Sequence, residues 1–266
     1  MRWWLALALC EACLFPSLDD FSASPDAGSD ASDATFDTSA DVATDTGVDV
    51  MADAAPKFCA QHPLAFFCDD FDQATSISPA WTTVNQVGDA SMTIVQDMPV
   101  SAPNIARSTV GATPNASGEA SIGRHVNVTS GKTLSFGAAL RADAWPAGPY
   151  ASVASIYTDQ THAVALVLGY NNKSPLLTVD DDSDSGTSTY GVTLPLSGWF
   201  RFTFVLAVSG STSTIDLLVD GQTAIGGPKP GPPIPQSYVT CYIGIYATSY
   251  TQPITWSFDD AYAEVN

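Results

Sequence analysis

The stretch 199–221, WFRFTFVLAVSGSTSTIDLLVDG, leaves this chain few ways to fold. Phe200, Phe202, Phe204, Leu206 and Val208 fall on one parity, and Trp199, Arg201, Thr203 and Val205 on the other. Successive side chains of extended backbone point to opposite faces. A period of two in a run this rich in aromatic and β-branched residues therefore predicts a strand with one apolar face. Residues 209–213 supply a turn, and Ile215, Leu217 and Val219 form the apolar side of a returning strand. Asp220-Gly221 then predicts a tight type I′ turn, which needs positive φ at its centre.

Similar short runs recur at 66–72, 91–96, 122–128, 133–141, 150–157, 163–170, 176–180, 188–194, 238–246 and 254–265. The segment 226–235, GGPKPGPPIP, suits neither strand nor helix and predicts a surface loop of polyproline character. No helical pattern exceeds two turns. Many strands joined by turns, with no helical crossovers, predict an all-β antiparallel sandwich or barrel, and residues 57–266 suffice for a single two-sheet core.

The N-terminal part differs in kind. Residues 19–56 are dominated by Asp, Ala, Ser and Thr with few apolar clusters, a composition that predicts a disordered, self-repelling tether. Residues 1–56 carry eleven acids against one base, and residues 57–266 carry seventeen against eight, which together make the net charge of −19. Without a basic patch there is no electrostatic footprint for nucleic acid or an anionic membrane surface. Residues 1–18 open with MRWWLALALCEAC, an apolar run too short to span a bilayer. It resembles a bacterial lipoprotein signal with Cys10 as the lipidated residue. Leu9 stands where such signals carry a small residue, and plain secretion is the alternative. Both readings place the protein outside the cytoplasm, at a bacterial membrane surface or free, and the only membrane contact would be a lipid anchor. In such a compartment Cys59 and Cys68 are expected to form a disulfide, whereas Cys241, in an apolar alternation, is expected to be a buried thiol.

Three further pieces carry a family resemblance: Gly198-Trp199-Phe200-Arg201-Phe202, Val219-Asp220-Gly221 and Phe258-Asp259-Asp260-Ala261-Tyr262. In their order and spacing, residues 58–266 resemble the concanavalin A-like lectin/glucanase superfamily in its laminin-G-like branch. The resemblance implies a jelly roll of two antiparallel sheets. It also implies that the last strand lies beside the first, and that a face or loop rim is available for ligands.

Catalysis finds little support. Retaining glycosidases need two carboxylates about 5 Å apart, and the only glutamates after residue 57, Glu119 and Glu264, sit at opposite ends of the domain. No two of His62, His125 and His162 have metal-ligand spacing. His125, Arg141 and Tyr157 are the residue types that lyases on this fold employ, which keeps an atypical hydrolase or lyase as the alternative. Calcium is the expected cofactor, in a structural role. Asp69, Asp70, Asp259 and Asp260 crowd together if first and last strands pair, and the acidic run 180–186 also carries oxygen ligands. For ligand binding, Trp199, Arg201, Tyr242 and Tyr246 lie opposite their strands' apolar sides, with Tyr170 and Arg141 expected nearby. The function expected is non-catalytic binding of an extracellular polysaccharide or other cell-surface ligand. A purely structural envelope protein is the remaining reading.

Overall fold

The run that opened the argument forms β11 (Trp199–Ser209), and it returns as β12 (Thr212–Val219). Phe200, Phe202, Phe204, Leu206 and Val208 are all buried, as the alternation predicts. Asp220 and Gly221 have φ of 48° and 77°, the positive pair a type I′ turn requires, and they lead into β13 (Gln222–Thr223).

This computed structural model describes residues 58–72, 75–142, 150–170, 175–181, 186–195 and 197–266; at 169, 170, 180 and 181 it describes backbone only. The signal segment with Cys10, the acidic tether and most of the acidic run 180–186 lie outside the described residues.

The remaining elements, in chain order, are α1 (Phe58–Gln61), β1 (Phe67–Asp69), β2 (Thr83–Val87), β3 (Ala90–Val95), β4 (Ile105–Val110), β5 (Ser117–Asn127), β6 (Thr133–Ala142), β7 (Tyr150–Tyr157), β8 (Ala163–Tyr170), β9 (Leu176–Asp181), β10 (Gly186–Gly191), β14 (Lys229–Pro230), β15 (Tyr238–Thr248) and β16 (Ile254–Val265). They build two antiparallel sheets. One has nine strands in the order β13-β12-β11-β6-β16-β4-β3, with β1 beside β16 and β14 beside β12. The other has seven strands in the order β10-β9-β8-β7-β15-β5-β2. The sequence pattern missed β2 and β4. The proline-rich segment is also not wholly irregular, because Lys229 and Pro230 pair with Ile215 and Thr214 at the sheet margin. Proline is tolerated there because no further strand needs its missing N–H.

Between the sheets, Phe136, Phe202 and Phe204 pack with ring centroids 5.7–6.4 Å apart, beside Trp256 and Phe258. Ile122, Ile156, Leu166 and Ile243 meet them from the seven-stranded sheet. Each such side chain contributes about 2–3 kcal/mol when removed from water. Cys241 is buried and free, as expected. Cys59 and Cys68 are bonded, which ties α1 to β1. In turn β1 pairs with β16 through Phe67↔Ala263, Cys68↔Tyr262 and Asp69↔Ala261, so the first and last strands meet as the resemblance implies.

One interior strand of each sheet is bulged, β16 and β15. The β16–β6 register shifts between Asp259 and Tyr262, where Asp260 has φ of 52°. The β15–β7 register shifts between Ile243 and Tyr246, where Gly244 has φ of 131°. Bulges re-aim side chains, and each of these shapes the outer face of its sheet.

Candidate functional site

The residues singled out for ligand binding divide between the two sheets. Trp199, Arg201 and Arg141 lie on the nine-stranded sheet, at adjacent registers of β11 and β6. Tyr242 and Tyr246 lie on β15 of the seven-stranded sheet, and Tyr170 ends β8 of that same sheet. They cannot form one stacking surface, because neighbouring strands of one parity share a face only when they share a sheet.

On the nine-stranded sheet the chosen residues serve one another. The segment 97–104 crosses this face and is held at several points. Asp97 forms ion pairs with Arg107 and, at 3.0 Å, with Arg141. Those hydrogen-bonded guanidinium groups, Arg141 first, hold the Asp97 carboxyl below the usual carboxylate range. Trp199 Nε1 donates to the Met98 carbonyl at 2.8 Å, and the Arg141 guanidinium lies 5.2 Å from the Trp199 ring centre. The Val100 and Ser101 amides both donate to Asp259 at 2.9 Å. Asp260 accepts from Ser101 Oγ and pairs with Arg201, each at 2.8 Å. Arg201 also sits 4.4 Å from the Phe58 ring centre, under α1. This face is a polar clasp, and its aromatic and cationic groups are used within the protein.

The same contacts bear on calcium. Asp69 accepts from the Phe71 amide and from Trp81 Nε1, Asp70 accepts from the Asp72 amide, and Asp259 and Asp260 are engaged as above. Calcium takes six to eight oxygens, and among the described residues no group of three or more His, Cys, Asp or Glu is placed to hold a metal. These four carboxylates are bonded within the protein, to backbone amides, to Trp81, to Ser101 and to Arg201. Burial, with the Asp260 charge beside it, outweighs the amide donors and pushes the Asp259 carboxyl up to about 7.

The seven-stranded sheet carries the open groove. Asn85 on β2, Glu119 and Ser121 on β5, Tyr150, Ser152, Ser155 and Tyr157 on β7, and Tyr242, Gly244 and Tyr246 on β15 line a cavity of about 470 Å³. A second cavity of about 350 Å³ continues it past Tyr157 and Tyr242 to His125, Asp159, Tyr238 and Thr240. Outward residues 238 to 246 of β15 run the length of this floor, about 26 Å at strand spacing. Tyr157, Tyr238 and Tyr246 are each 40–43% exposed, a large aromatic outlay for a face that the core does not need.

Local sequence explains how the rings stand. Gly123 is level with Tyr242, and a Cβ there would overlap the Tyr242 ring, so the glycine seats that ring against β5. Tyr157 meets Tyr242 edge-on at 5.6 Å, and Tyr150 meets Tyr246 at 6.1 Å. Gly244, in its bulge, leaves the floor between Tyr242 and Tyr246 without a side chain. Burial, and to a lesser degree the Glu119 charge, raise the Tyr242 phenol above its usual range despite a bond with Thr83. It therefore stays a neutral hydrogen-bonding group.

The acids of the groove are far apart. Glu119 Oε1 accepts from Asn85 Nδ2 at 2.9 Å and from Ser121 Oγ at 2.6 Å. Asp159 lies beyond Tyr157, which is level with Thr240 and His125, whereas Glu119 is level with Tyr246. Six residues of β5 separate those levels, about 20 Å. Asp159 is also engaged in its own turn. Burial would raise it, but bonds from the Thr161 amide, the His162 ring and amide, and the Thr161 hydroxyl lower it to about 2. His125 stands at the Asp159 end of the groove, with Nδ1 2.8 Å from Thr240 Oγ1 and its ring edge-on to Tyr238. Of the lyase-type trio, His125 and Tyr157 share the groove, and Arg141 is on the other sheet.

Tyr242 and Tyr246 stand out in the sequence, whereas Glu119, Asn85, Tyr150 and Tyr238 do not stand out as their companions. The parity signal was present in Tyr238-x-Thr240-x-Tyr242-x-Gly244-x-Tyr246 and in Glu119-x-Ser121-x-Gly123-x-His125. What joins the two runs is the β15–β5 pairing, which no local pattern announces.

No protein-family model matches the chain, and no curated protein matches it. Solved structures do. An endo-β-1,4-glucuronan lyase from the fungus Trichoderma reesei superposes with a TM-score of 0.58 at 12% identity, over 75% of this chain and 95% of that one. A cellulose-induced protein, Cip1, gives 0.55 at 17% identity over 75% and 96%. A glycosyl hydrolase family protein from Mycobacterium fortuitum gives 0.50 at 14% over 75% and 99%. At these identities the likeness is one of fold, and that fold is the concanavalin A-like jelly roll.

Proposed function

We propose that the groove on the seven-stranded sheet binds an extended carbohydrate chain without cleaving it. The observation that carries this is the row of partly exposed tyrosines along a floor about 26 Å long, with its two carboxylates about 20 Å apart. Stacking rings flanked by amide and hydroxyl groups suit the apolar faces and hydroxyl rims of sugars. Paired-carboxylate hydrolysis needs a separation of about 5–9.5 Å, which Glu119 and Asp159 do not supply. Asp159, already ionised near pH 2, is also no proton donor at neutral pH. The carbohydrate-active proteins among the structural neighbours support the choice of ligand class.

We place the protein outside the cytoplasm, free or on a lipid anchor at Cys10. The Cys59–Cys68 disulfide supports the export reading.

A second reading, β-elimination, draws on the convergence of His125, Tyr157 and Tyr242 at one end of the groove. Against it stand the raised phenol of Tyr242, a poor base, and the lack of a lysine or arginine among the described lining residues to offset a uronate charge.

Affinity electrophoresis of the full chain through soluble polysaccharides tests both readings. Retardation weakened about tenfold by Tyr246→Ala, and left intact by Trp199→Ala, is the expected result. Release of reducing ends, or of ultraviolet-absorbing unsaturated ends abolished by His125→Ala, would make the protein an enzyme. No retardation on any polysaccharide would leave the envelope-scaffold reading.

A further inference from the structure

We infer that the Glu119 end of the groove is an ammonium subsite, and that the preferred ligand is a glycan bearing protonated amino groups. The inference rests on the groove being a carbohydrate site and specifies which sugars it prefers.

Glu119 lines the larger cavity, half-buried, on the same stretch of floor as three tyrosines. It is the cross-strand partner of Tyr246, and such pairs hold their Cβ atoms about 5 Å apart. Tyr150 meets the Tyr246 ring edge-on, and Tyr242 lies close enough for the Glu119 charge to raise its phenol. The partners of Glu119, Asn85 and Ser121, are neutral donors, and both reach Oε1. No lysine or arginine among the described residues lines either cavity. The arginine of the same strand, Arg124, is committed elsewhere, to the Ala80 carbonyl and the rings of Phe66 and Phe67.

An uncompensated carboxylate among aromatic rings is the arrangement that recognises ammonium groups. Ring faces attract a cation through their quadrupole, and a partly desolvated carboxylate adds a charge-assisted hydrogen bond. It is poor for a uronate, whose carboxylate would face Glu119 with no cation between them. A glucosamine residue supplies the ammonium on a ring that also stacks, so one ligand class satisfies both features.

Titration calorimetry of the full chain at low salt and mildly acidic pH, with glucosamine hexamer and cellohexaose as ligands, decides the matter. The hexamer should bind about tenfold or more tightly than cellohexaose. Glu119→Gln, which keeps an acceptor for Asn85 and Ser121, should erase that preference by bringing hexamer binding down to the level of cellohexaose, with the melting temperature unchanged. Glu264→Gln removes the same charge from the other sheet, and should preserve the preference. Equal binding of the two oligomers, or a preference that survives Glu119→Gln, would overturn the subsite while the groove stands. If neither oligomer binds, both the groove and the subsite fall.

Discussion

Ser108 shows how single atoms support the groove. Its hydroxyl is fully buried on β4, in the sheet opposite the groove. It accepts from the Ile245 amide at 3.2 Å and donates to the Ala120 carbonyl at 2.7 Å, two groups that are level with each other across β15 and β5. The bulge at Gly244 is thus satisfied from the other sheet. Ser108→Ala should cost about 1–3 kcal/mol in urea unfolding, the penalty for leaving a buried amide without a partner. At Gly244 itself a Cβ would overlap the Ala120 carbonyl, and the backbone lies in the left-handed region. Gly244→Ala should therefore lower stability by about 3 kcal/mol. Asp259 leads to a pH effect. It keeps its proton to about 7 when folded, whereas an unfolded aspartate releases it near 4. Between those values the folded state binds the extra proton, so this group's contribution declines as pH rises from about 4 to about 7 and is level above that. Unfolding curves at pH 4.5 and 7.5 should show that decline in the natural chain and a smaller one in Asp259→Asn, whatever the variant's baseline.

At the scale of elements, β15 and β16 are interior strands of their sheets, and each departs from regular pairing where its sheet turns outward chemistry into something specific. In β16 the bulge turns Asp259 and Asp260 toward the 97–104 segment and Arg201, which closes that face. In β15 the bulge removes a side chain from the groove floor, which opens the other. The first strand is weak by itself, since β1 has three paired residues. It is reinforced by the Cys59–Cys68 bond, the stacking of His62 on Tyr262 at 4.7 Å and the packing of Phe58 against Arg201. Replacing both cysteines by alanine should lower unfolding stability by about 2.5–3 kcal/mol in the chain-entropy account. Loss should begin at α1 and β1, so hydrogen exchange of the β1 amides should accelerate before that of β15.

Across the whole molecule, the two sheets share one core and present different outer faces. One is a clasp that satisfies its own charges, and the other is a groove floored by tyrosines with Glu119 among them. Residues 57–266 carry eight bases against seventeen acids, a net charge of −9. Polyanions such as nucleic acid or polyglucuronate should show no retention at physiological salt, because acids outnumber bases about two to one and the arginines of the clasp are already paired with its acids. A filter-binding assay checks this, and saturable binding would contradict it.

Much of this architecture was legible in the chain. Alternation in 199–208 announced a strand with one buried face, because burial selects apolar residues at every second position. Asp220-Gly221 announced its turn, because few residues accept positive φ. The meeting of first and last strands followed from the family resemblance, whose last motif, Phe258-Asp259-Asp260-Ala261-Tyr262, lies in the final strand. What local pattern could not say was which strands are neighbours. Trp199 and Tyr242 both alternate away from an apolar side, and only the strand order puts Trp199 into a clasp and Tyr242 into a groove. Likewise Glu119 and Tyr246 acquire a relation only through the β5–β15 register. Alternation is a property of a strand's own backbone and survives in sequence, whereas a site is made by side chains from several strands, and their adjacency is decided by how the sheets pair.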